Sequence, residues 1–454
     1  MNMLNDYLNS VKNKNIHIVG VSGAEGAEVA LFLKKHGITK VTLHDFSLPE
    51  DFVTNVQKFQ NGYSDIELKQ RIVDIQNLPY KIHYKDAYLR DIDQADLIFV
   101  PQSWKMYSQN QALESRTSLM SSITEIYLKL LPKNTIGVTG SNGKGTTTAM
   151  LHHLIPDSIL TGNDRATKPI LLDIENLNPN QWIILEISNR QLDQIHASPH
   201  LAVLLNITEN HLDEYQSLQE YINTKAKIFE FQKPEDHCFL NQDDHNTAQL
   251  FSRTKSNLHS YSLNIQNQSL IVNDITIPLA DLPIQGNHNL SNLTVAIQVA
   301  NHIGIPKDQI IQLAQTFRPL PDRQQPIRTI DQTTYYNDRQ GTSIDATIQA
   351  LQGLPQPLVL IFGGINKGMP AHKLADYIST NCQLAIGIIS PFVDEIAPLI
   401  QNLEQVNTMT EAVQLASKQQ AKTVIFSPGC SYAPYFMHEN KPDYLDFTKI
   451  VNML

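Results

Sequence analysis

The chain has little of what marks several common protein classes. Three cysteines, Cys238, Cys382 and Cys430, are scattered through 454 residues. That is too few, and too widely spaced, for a disulfide framework or a paired-cysteine metal site, so each reads as a small buried apolar side chain. No uninterrupted apolar run approaches the ~20 residues that span a bilayer, and no membrane insertion is expected. The first residues lack a basic stretch followed by an apolar one, so a cytoplasmic location is expected. No block of Lys or Arg interrupts a formal net charge of −10. The basic footprint that general nucleic-acid binding requires is therefore missing. Internal repeats and low-complexity segments are also absent. What remains, at 41% hydrophobic and 18% charged residues, is an ordinary folded composition. Its length suits about three domains.

One stretch carries clear chemistry: Gly137-Val-Thr-Gly140-Ser141-Asn142-Gly143-Lys144-Gly145-Thr146-Thr147-Thr148. An apolar approach over 131–136 precedes it and a helix-like run over 148–154 follows. Strand, glycine loop and helix in that order wrap backbone N–H groups around a phosphate chain. Lys144 supplies a mobile positive charge. In the usual form of this loop a Ser or Thr stands directly after the lysine and binds Mg²⁺. Here Gly145 intervenes, and Thr146 or Thr147 must supply that hydroxyl. Downstream, the buried-strand pattern 182–188 ends in Glu186, the expected second Mg²⁺ partner in a nucleotide site. The run 201–205 repeats the design and breaks into Asn206-Ile-Thr-Glu-Asn-His211-Leu-Asp213. Taken alone, His211 reads as structural and Lys225 as a solvated helix lysine. Asn289 and Asn292 read as capping residues around the start of a long helix that begins after Gly286.

Ahead of the loop, a strand at 16–19, glycines Gly20, Gly23 and Gly26, a helix over 27–36 and a strand at 41–45 ending in Asp45 form a βαβ unit. Its GxxGxxG spacing is a weak signal for a dinucleotide site. A further strand over 95–100 and a helix over 110–131 complete a first domain, 1–131. The second domain spans 132–318 and the third 319–454. In the third, strands alternate with helices: 333–337, 358–362, 385–390 and 423–427, with helices from 343, 372 and 394 and a closing helix from 444. The expected fold class is α/β throughout: a Rossmann-like first domain, a central P-loop domain with a mainly parallel sheet, and a Rossmann-like C-terminal domain. Polar segments 337–342, 363–367 and 427–432 follow strands of the third domain and are expected to converge at the carboxyl end of its sheet.

The set Val138-Thr-Gly-Ser-Asn-Gly-Lys-Gly-Thr-Thr, Leu185-Glu-Ile-Ser, Asn206-Ile-Thr-Glu-Asn-His, Lys225, Gly286-Asn-His-Asn, Leu320-Pro-Asp-Arg and Tyr336-Asn-Asp, in this order, resembles the Mur ligases. These are ATP-dependent amide ligases of peptidoglycan precursor synthesis, and the likeness covers nearly the whole chain. It implies an acyl-phosphate mechanism with release of ADP and phosphate. The compact first domain, Gly363-Gly-Ile-Asn-Lys367 and Ser427-Pro-Gly-Cys430 are most similar to the branch that adds D-glutamate to UDP-N-acetylmuramoyl-L-alanine. By resemblance, Gly140 to Thr147 hold the ATP phosphates, with Lys144 catalytic. Asn289 and Asn292 face the adenine, and Arg323 and Asp338 the nucleotide's phosphate and ribose. Thr146 or Thr147 and Glu186 ligate one Mg²⁺, and His211 and Lys225 a second, the lysine as a carbamate. Gly20, Ser22, Gly23 and Asp45 stand where the UDP-sugar binds, with Asn163 and His211 on the acceptor. Thr342, Lys367, Ser431 and Tyr432 stand where the amino acid is held. Small-molecule substrates and a monomer are expected.

Some positions depart from the pattern. A second lysine of the family is Gln340, with Arg339 beside it as a possible stand-in on the same phosphate, and a serine that receives the glutamate side chain is Tyr432. The first domain's Ser-Pro-Gly turn reads Pro101-Gln102-Ser103. The Gly-Lys-Gly-Thr wording also resembles folylpolyglutamate synthases. The alternatives are therefore a relative with another amino acid or acceptor, or a nucleotide-binding module without catalysis.

Overall fold

The computed structural model describes residues 2–60, 62–131, 133–163, 167–210, 214–284, 286–318, 320–352, 354–432 and 446–454. The chain packs as two compact units, one of 1–140, 155–205 and 222–261, the other of 141–154, 206–221 and 262–454.

The first unit contains two parallel sheets. One has the spatial order Lys81–Tyr84, Val41–Asp45, Ile16–Val19, Leu97–Phe99, Met120–Ser121. The other runs Asn257–Tyr261, His237–Asn241, Leu201–Leu204, Thr135–Thr139, Ile183–Glu186, Ile159–Gly162. Strands such as Ile183–Glu186 and Leu201–Leu204 are buried at every position. Their continuous apolar sequences follow from this, because a parallel sheet is covered on both faces. Parallel pairing also brings the carboxyl ends of three neighbouring strands together, so Gly140, Ile187 and Leu205 leave the same edge.

The second unit holds a three-stranded antiparallel sheet, Ile265–Gln266, Ser269–Val272 and Ile275–Pro278. Its six-stranded sheet has the order Gln325–Ile330, Thr333–Asn337, Thr423–Phe426, Leu358–Phe362, Leu384–Ile388, Leu403–Val406, parallel except at the first pair. Alternate residues of Leu358–Phe362 face opposite ways. Leu358, Leu360 and Phe362 pack with the helices Ile344–Gln352 and Ala371–Asn381. Val359 and Ile361 pack with the helix Met409–Ser417 and with Phe447. Each such buried side chain contributes about 1.5–3 kcal/mol, so both layers are needed to hold the sheet.

Several local expectations shift. The helix after the glycine loop begins at Lys144, not at 148, so the lysine and both threonines sit in its first turn. The expected helix 110–131 is broken: Ser108–Leu119 is 3-10 helix with a kink at Arg116, Met120–Ser121 is a strand, and Ile123–Leu130 is α-helix. Ser122 causes the restart, because its side chain accepts the Glu125 N–H as an N-cap. The strand Leu403–Val406 and the helix Met409–Ser417 were not expected; the strand is a half-exposed sheet edge with polar residues at its centre. The closing helix is seen as Phe447–Asn452, and its expected start at 444 lies outside the described residues. All three cysteines are buried and unbridged. Among the described residues no helix is long and apolar enough to cross a membrane.

Candidate active site

The phosphate loop is stiffened by the segment that follows the strand Leu201–Leu204. Ser141 N–H donates to the Asn206 carbonyl at 2.8 Å. Asn142 N–H donates to Asn206 Oδ1 at 2.9 Å, and Asn206 Nδ2 returns a bond to the Asn142 carbonyl at 3.1 Å. Ser141 Oγ accepts Thr208 N–H at 2.9 Å and contacts Tyr221 Oη at 3.2 Å. Gly143 has φ +85°, and a Cβ there would lie 2.7 Å from Asn292 Oδ1. The glycine is thus required both by its backbone and by the close approach of the Asn292 amide. Lys144 Nζ donates to the Ser141 carbonyl at 3.0 Å, folded over its own loop. Gly145, Thr146 and Thr147 are buried, Thr146 at 9% exposure and Thr147 at zero. Thr147 Oγ1 is an enclosed hydroxyl without a hydrogen-bond partner among the described residues.

The same unit gathers most of the other residues expected at ATP. Asn289 Nδ2 donates to Gln324 Oε1 at 3.2 Å, and Gln324 N–H donates to Asp338 Oδ1 at 3.1 Å. Asp338 is buried and also accepts Ser427 Oγ at 2.7 Å. Burial raises its carboxyl to about 6, against the Ser427 and Gln324 hydrogen bonds and the Arg323 charge. Arg339 is committed elsewhere: Nη2 lies 2.5 Å from Asp322 Oδ2, while Asn337 holds Oδ1. It is a clamp on the Leu320-Pro-Asp-Arg segment, not a replacement for the missing lysine. Gln340 is exposed and is held through its backbone, whose N–H donates to the Asp322 carbonyl.

The three polar segments of the C-terminal sheet do converge. Gly429 N–H donates to the Gly341 carbonyl at 2.9 Å, and Ile365 and Ser431 form a reciprocal antiparallel bridge. Thr342 and Lys367 are half-buried in this cluster. Cys430 is buried, which pushes its thiol up, and the Lys367 charge opposes that. Tyr432 takes a different place from the one expected. It is 1% exposed and packs edge-on against Phe426 at 4.9 Å, within the core cluster that includes Phe447. The physical reason is size: a large ring one position past Ser431 fills the layer beneath the sheet.

In the first unit, Glu186 ends its strand 6% exposed. Its Oε1 accepts Asn163 Nδ2 at 2.6 Å, and Asn163 N–H donates to the Glu186 carbonyl at 2.9 Å. Lys225 overturns its solvated reading: it is 1% exposed, and Nζ donates to the Gly140 carbonyl at 2.9 Å. A buried lysine must be paired, neutral or modified, and here it reaches the residue that opens the phosphate loop. His211 lies outside the described residues.

The glycine turn of the first sheet differs from expectation in what it spends its donors on. Gly20 N–H and Val21 N–H donate to the His44 carbonyl, Ser22 N–H to Asp45 Oδ2 at 2.8 Å, and Gly23 N–H to the Gly20 carbonyl. Asp45 is 1% exposed and accepts Ser47 N–H through Oδ1 at 3.0 Å. Gly20, Ser22, Gly23 and Asp45 therefore brace one another.

Sequence reasoning did not assign the residues that brace the site to that task. Asn206 was legible as the polar break after an apolar strand and Ser427 as the start of a polar segment after another, though not as partners of the phosphate loop and of Asp338; Gln324 carried no such signal. Ser343 Oγ donates to Asn142 Oδ1 at 2.9 Å, tying the helix after Asp338 to the phosphate loop.

Fold and site together define a P-loop α/β protein that handles a nucleoside triphosphate. Comparison with known proteins narrows this. The model of the Mur ligase middle domain matches residues 138–300. A UDP-N-acetylmuramoylalanine–D-glutamate ligase of Desulfitobacterium hafniense is 30% identical over 338 residues, 69% of this chain and 74% of that protein. The ligase of the same name from Caldicellulosiruptor bescii is 29% identical over 458 residues, 95% of each. Among solved structures, a pseudomurein peptide ligase type C from Methanothermus fervidus aligns with TM-score 0.59 at 19% identity, covering 94% of this chain and 100% of that one. MurF from Thermotoga maritima in complex with ADP aligns with TM-score 0.58 at 16% identity, covering 87% and 95%. The chain belongs to the Mur ligase family. It is an ATP-dependent ligase of this class, with the mixed α/β, three-domain fold that its neighbours share.

Proposed function

We propose that this protein joins D-glutamate to UDP-N-acetylmuramoyl-L-alanine, forming an amide at the expense of ATP. The near full-length likeness to ligases named for that reaction carries the reading. A carboxylate is too poor an electrophile for an amine. The acceptor carboxylate therefore attacks the γ-phosphorus, ADP leaves, and an acyl phosphate forms. The glutamate amine then adds to the acyl carbon, loses a proton, and the tetrahedral adduct expels phosphate.

Each part of the chain has a share in this. Residues 1–131 take the UDP-sugar, 132–318 the ATP and 319–454 the amino acid. Lys144 and the first-turn amides of its helix stabilise the charge that develops on the transferred phosphoryl oxygens. Asn289, Asn292, Arg323 and Asp338 hold the adenosine end, and Asn163 orients the acceptor. Thr146 or Thr147 and Glu186 each offer the oxygen type that Mg²⁺ takes. The enclosed Thr147 hydroxyl, unpartnered among the described residues, and the strand-end carboxylate fit such a role. Mg²⁺ would neutralise phosphate charge there. His211 and Lys225 would serve a second ion, Lys225 as an anionic carbamate, which keeps one N–H for the Gly140 carbonyl that Nζ now reaches. Thr342, Lys367 and Ser431 receive the amino acid; Tyr432, in the core, supports the sheet beneath them. The protein is proposed to act as a monomer.

The test is ADP release from ATP, Mg²⁺ and UDP-N-acetylmuramoyl-L-alanine with D-glutamate, and in parallel with other amino acids or with a reduced folate as acceptor. D-Glutamate should be preferred. Release with a different partner relocates the specificity, and no substrate-dependent ADP together with no hydroxamate in a hydroxylamine trap refutes the ligase reading. For the carbamate, short-chain carboxylic acids should restore part of the activity lost in Lys225→Ala. No restoration would remove the carbamate.

A further inference from the structure

The first sheet reverses its strand order around Ile16–Val19. Val41–Asp45 pairs on one side of that strand and Leu97–Phe99 on the other. Open parallel sheets take ligands at such a switch point, outside the carboxyl ends of the strands. The glycine turn sits there, but the Gly20, Val21, Ser22 and Gly23 N–H groups are all spent on the protein itself. Something other than these amides must contact the part of a ligand that reaches this crevice.

Two aromatic rings stand in the right place. Phe46 follows Asp45 directly, at the end of one flanking strand. Tyr107 lies beyond the other, after the turn Trp104–Met106. Their ring centres are 5.0 Å apart with planes tilted by 39°. Both rings remain partly exposed, whereas the neighbouring Trp104 is 2% exposed and belongs to the core. Phe46 is held firmly. The Asp45 carboxylate accepts Ser22 N–H on one oxygen and Ser47 N–H on the other, an Asx-type turn with Phe46 at its tip. Tyr88 stands perpendicular behind it at 6.0 Å, its hydroxyl fixed to Asn110 Oδ1 at 2.5 Å. A cavity of about 280 Å³ opens beside Tyr107, with Ser108, Asn110 and Gln111 in its wall.

We infer that Phe46 and Tyr107 form the stacking platform for the nucleobase of the acceptor nucleotide, with Asp45 acting as the residue that positions Phe46. This rests on the reading of the acceptor as a UDP-sugar. A flat aromatic surface gains from a stacked base, and truncating one such ring typically weakens binding about 5- to 150-fold.

The test is calorimetric titration of the full chain with uridine 5′-diphosphate and, separately, with inorganic pyrophosphate, for wild type, Phe46→Leu, Tyr107→Leu, Phe46→Tyr and Tyr107→Phe. Both leucine variants should weaken UDP about tenfold. The aromatic exchanges should leave it within twofold, and pyrophosphate should bind all five alike. In the ADP-release assay the leucine variants should raise KM for the UDP-sugar with kcat and the KM for ATP unchanged. Equal UDP affinity across the set, or no UDP binding by the wild type, overturns the platform. Aromatic-dependent UDP binding without any ADP release would uphold the platform and refute the ligase reading. ADP release with no aromatic dependence of UDP binding would do the reverse.

Discussion

The turn at residues 20–23 and the loop at residues 140–143 both follow an inner strand of a parallel sheet and both open a helix, Ala24–Lys35 and Lys144–Leu154, yet they differ in the charge they carry there. In the first, four successive N–H groups are consumed by His44, Asp45 and Gly20. In the second, Ser141 and Asn142 are pinned by Asn206, and the chain then enters a helix at Lys144 whose first-turn N–H groups have no intrahelical acceptor. The first turn of the second helix holds Lys144, whereas that of the helix Ala24–Lys35 holds Glu25. A glycine turn after a strand is thus one topological device with two outcomes. Both spend loop amides on the end of a neighbouring strand and then open a helix whose first-turn N–H groups lack intrahelical acceptors; what sets them apart is the charge in that first turn, Glu25 in one and Lys144 in the other.

The largest effect that separates the two belongs to Lys144. Lys144→Ala should lower kcat for ADP release about a thousandfold, the scale for loss of one positioned donor to a transferring group. The thermal melt should hardly move, because the side chain is only half-buried. A variant that keeps full activity would remove the cradle role.

The next pair asks whether each glycine serves its own substrate. Gly143→Ala meets φ +85° and the Asn292 amide at 2.7 Å. The left-handed backbone alone costs about 1–2 kcal/mol, so KM for ATP should rise about tenfold. Gly20→Ala carries similar strain at φ +71°, with Pro101 Cγ at 3.2 Å. There KM for ATP should stay constant while KM for the UDP-sugar rises a few-fold. Equal effects on both substrates would mean that the two turns do not divide the work.

The phosphate loop and the order of strands and helices were legible because local chemistry decides them. A glycine–lysine loop after an apolar run has one common use, and buried parallel strands announce themselves as unbroken apolar segments. The breaks at Arg116 and Ser122, the burial of Tyr432 and the pairing of Arg339 with Asp322 were not legible. Each depends on which neighbour arrives from a distant part of the chain. Lys225 shows the limit most clearly. On a helix with polar neighbours it looked like a surface residue, and only the packed sheet reveals its burial against Gly140. Asp45 was correctly singled out as a strand-end acid, but its two oxygens turn out to hold the protein.

The smallest expected effect concerns pH, and here the two regions should move in opposite directions. Behind the first turn lie three buried histidines on adjacent strands. His17 Nδ1 is 2.8 Å from His44 Nε2, and the His44 ring stacks on His83 at 5.5 Å. Burial, with the neighbouring imidazoles adding to it, lowers His44 to about 3, and His17 and His83 are also lowered. Asp91 and Asp93 oppose the shift of His17, Lys81 and Arg90 add to that of His83, and Tyr88 closes the stack edge-on to His44. An unfolded imidazole takes its proton near 6.5, which the folded stack refuses, so stability is lost as pH falls from 6.5 toward 3. Asp338 works with the other sign. Its folded carboxyl, raised to about 6, holds a proton that the unfolded chain releases near 3.8. Its contribution is complete below 3.8 and is lost as pH rises through about 6. Lowering the pH from 7 to 5 should therefore loosen the strand Val41–Asp45 while tightening the strand Thr333–Asn337. Amide hydrogen exchange of the two strands, corrected for the intrinsic pH dependence, reads each separately. His44→Phe should flatten the first response and Asp338→Asn the second. A shift of both strands in one direction would show that the histidine stack and Asp338 do not govern their local stability.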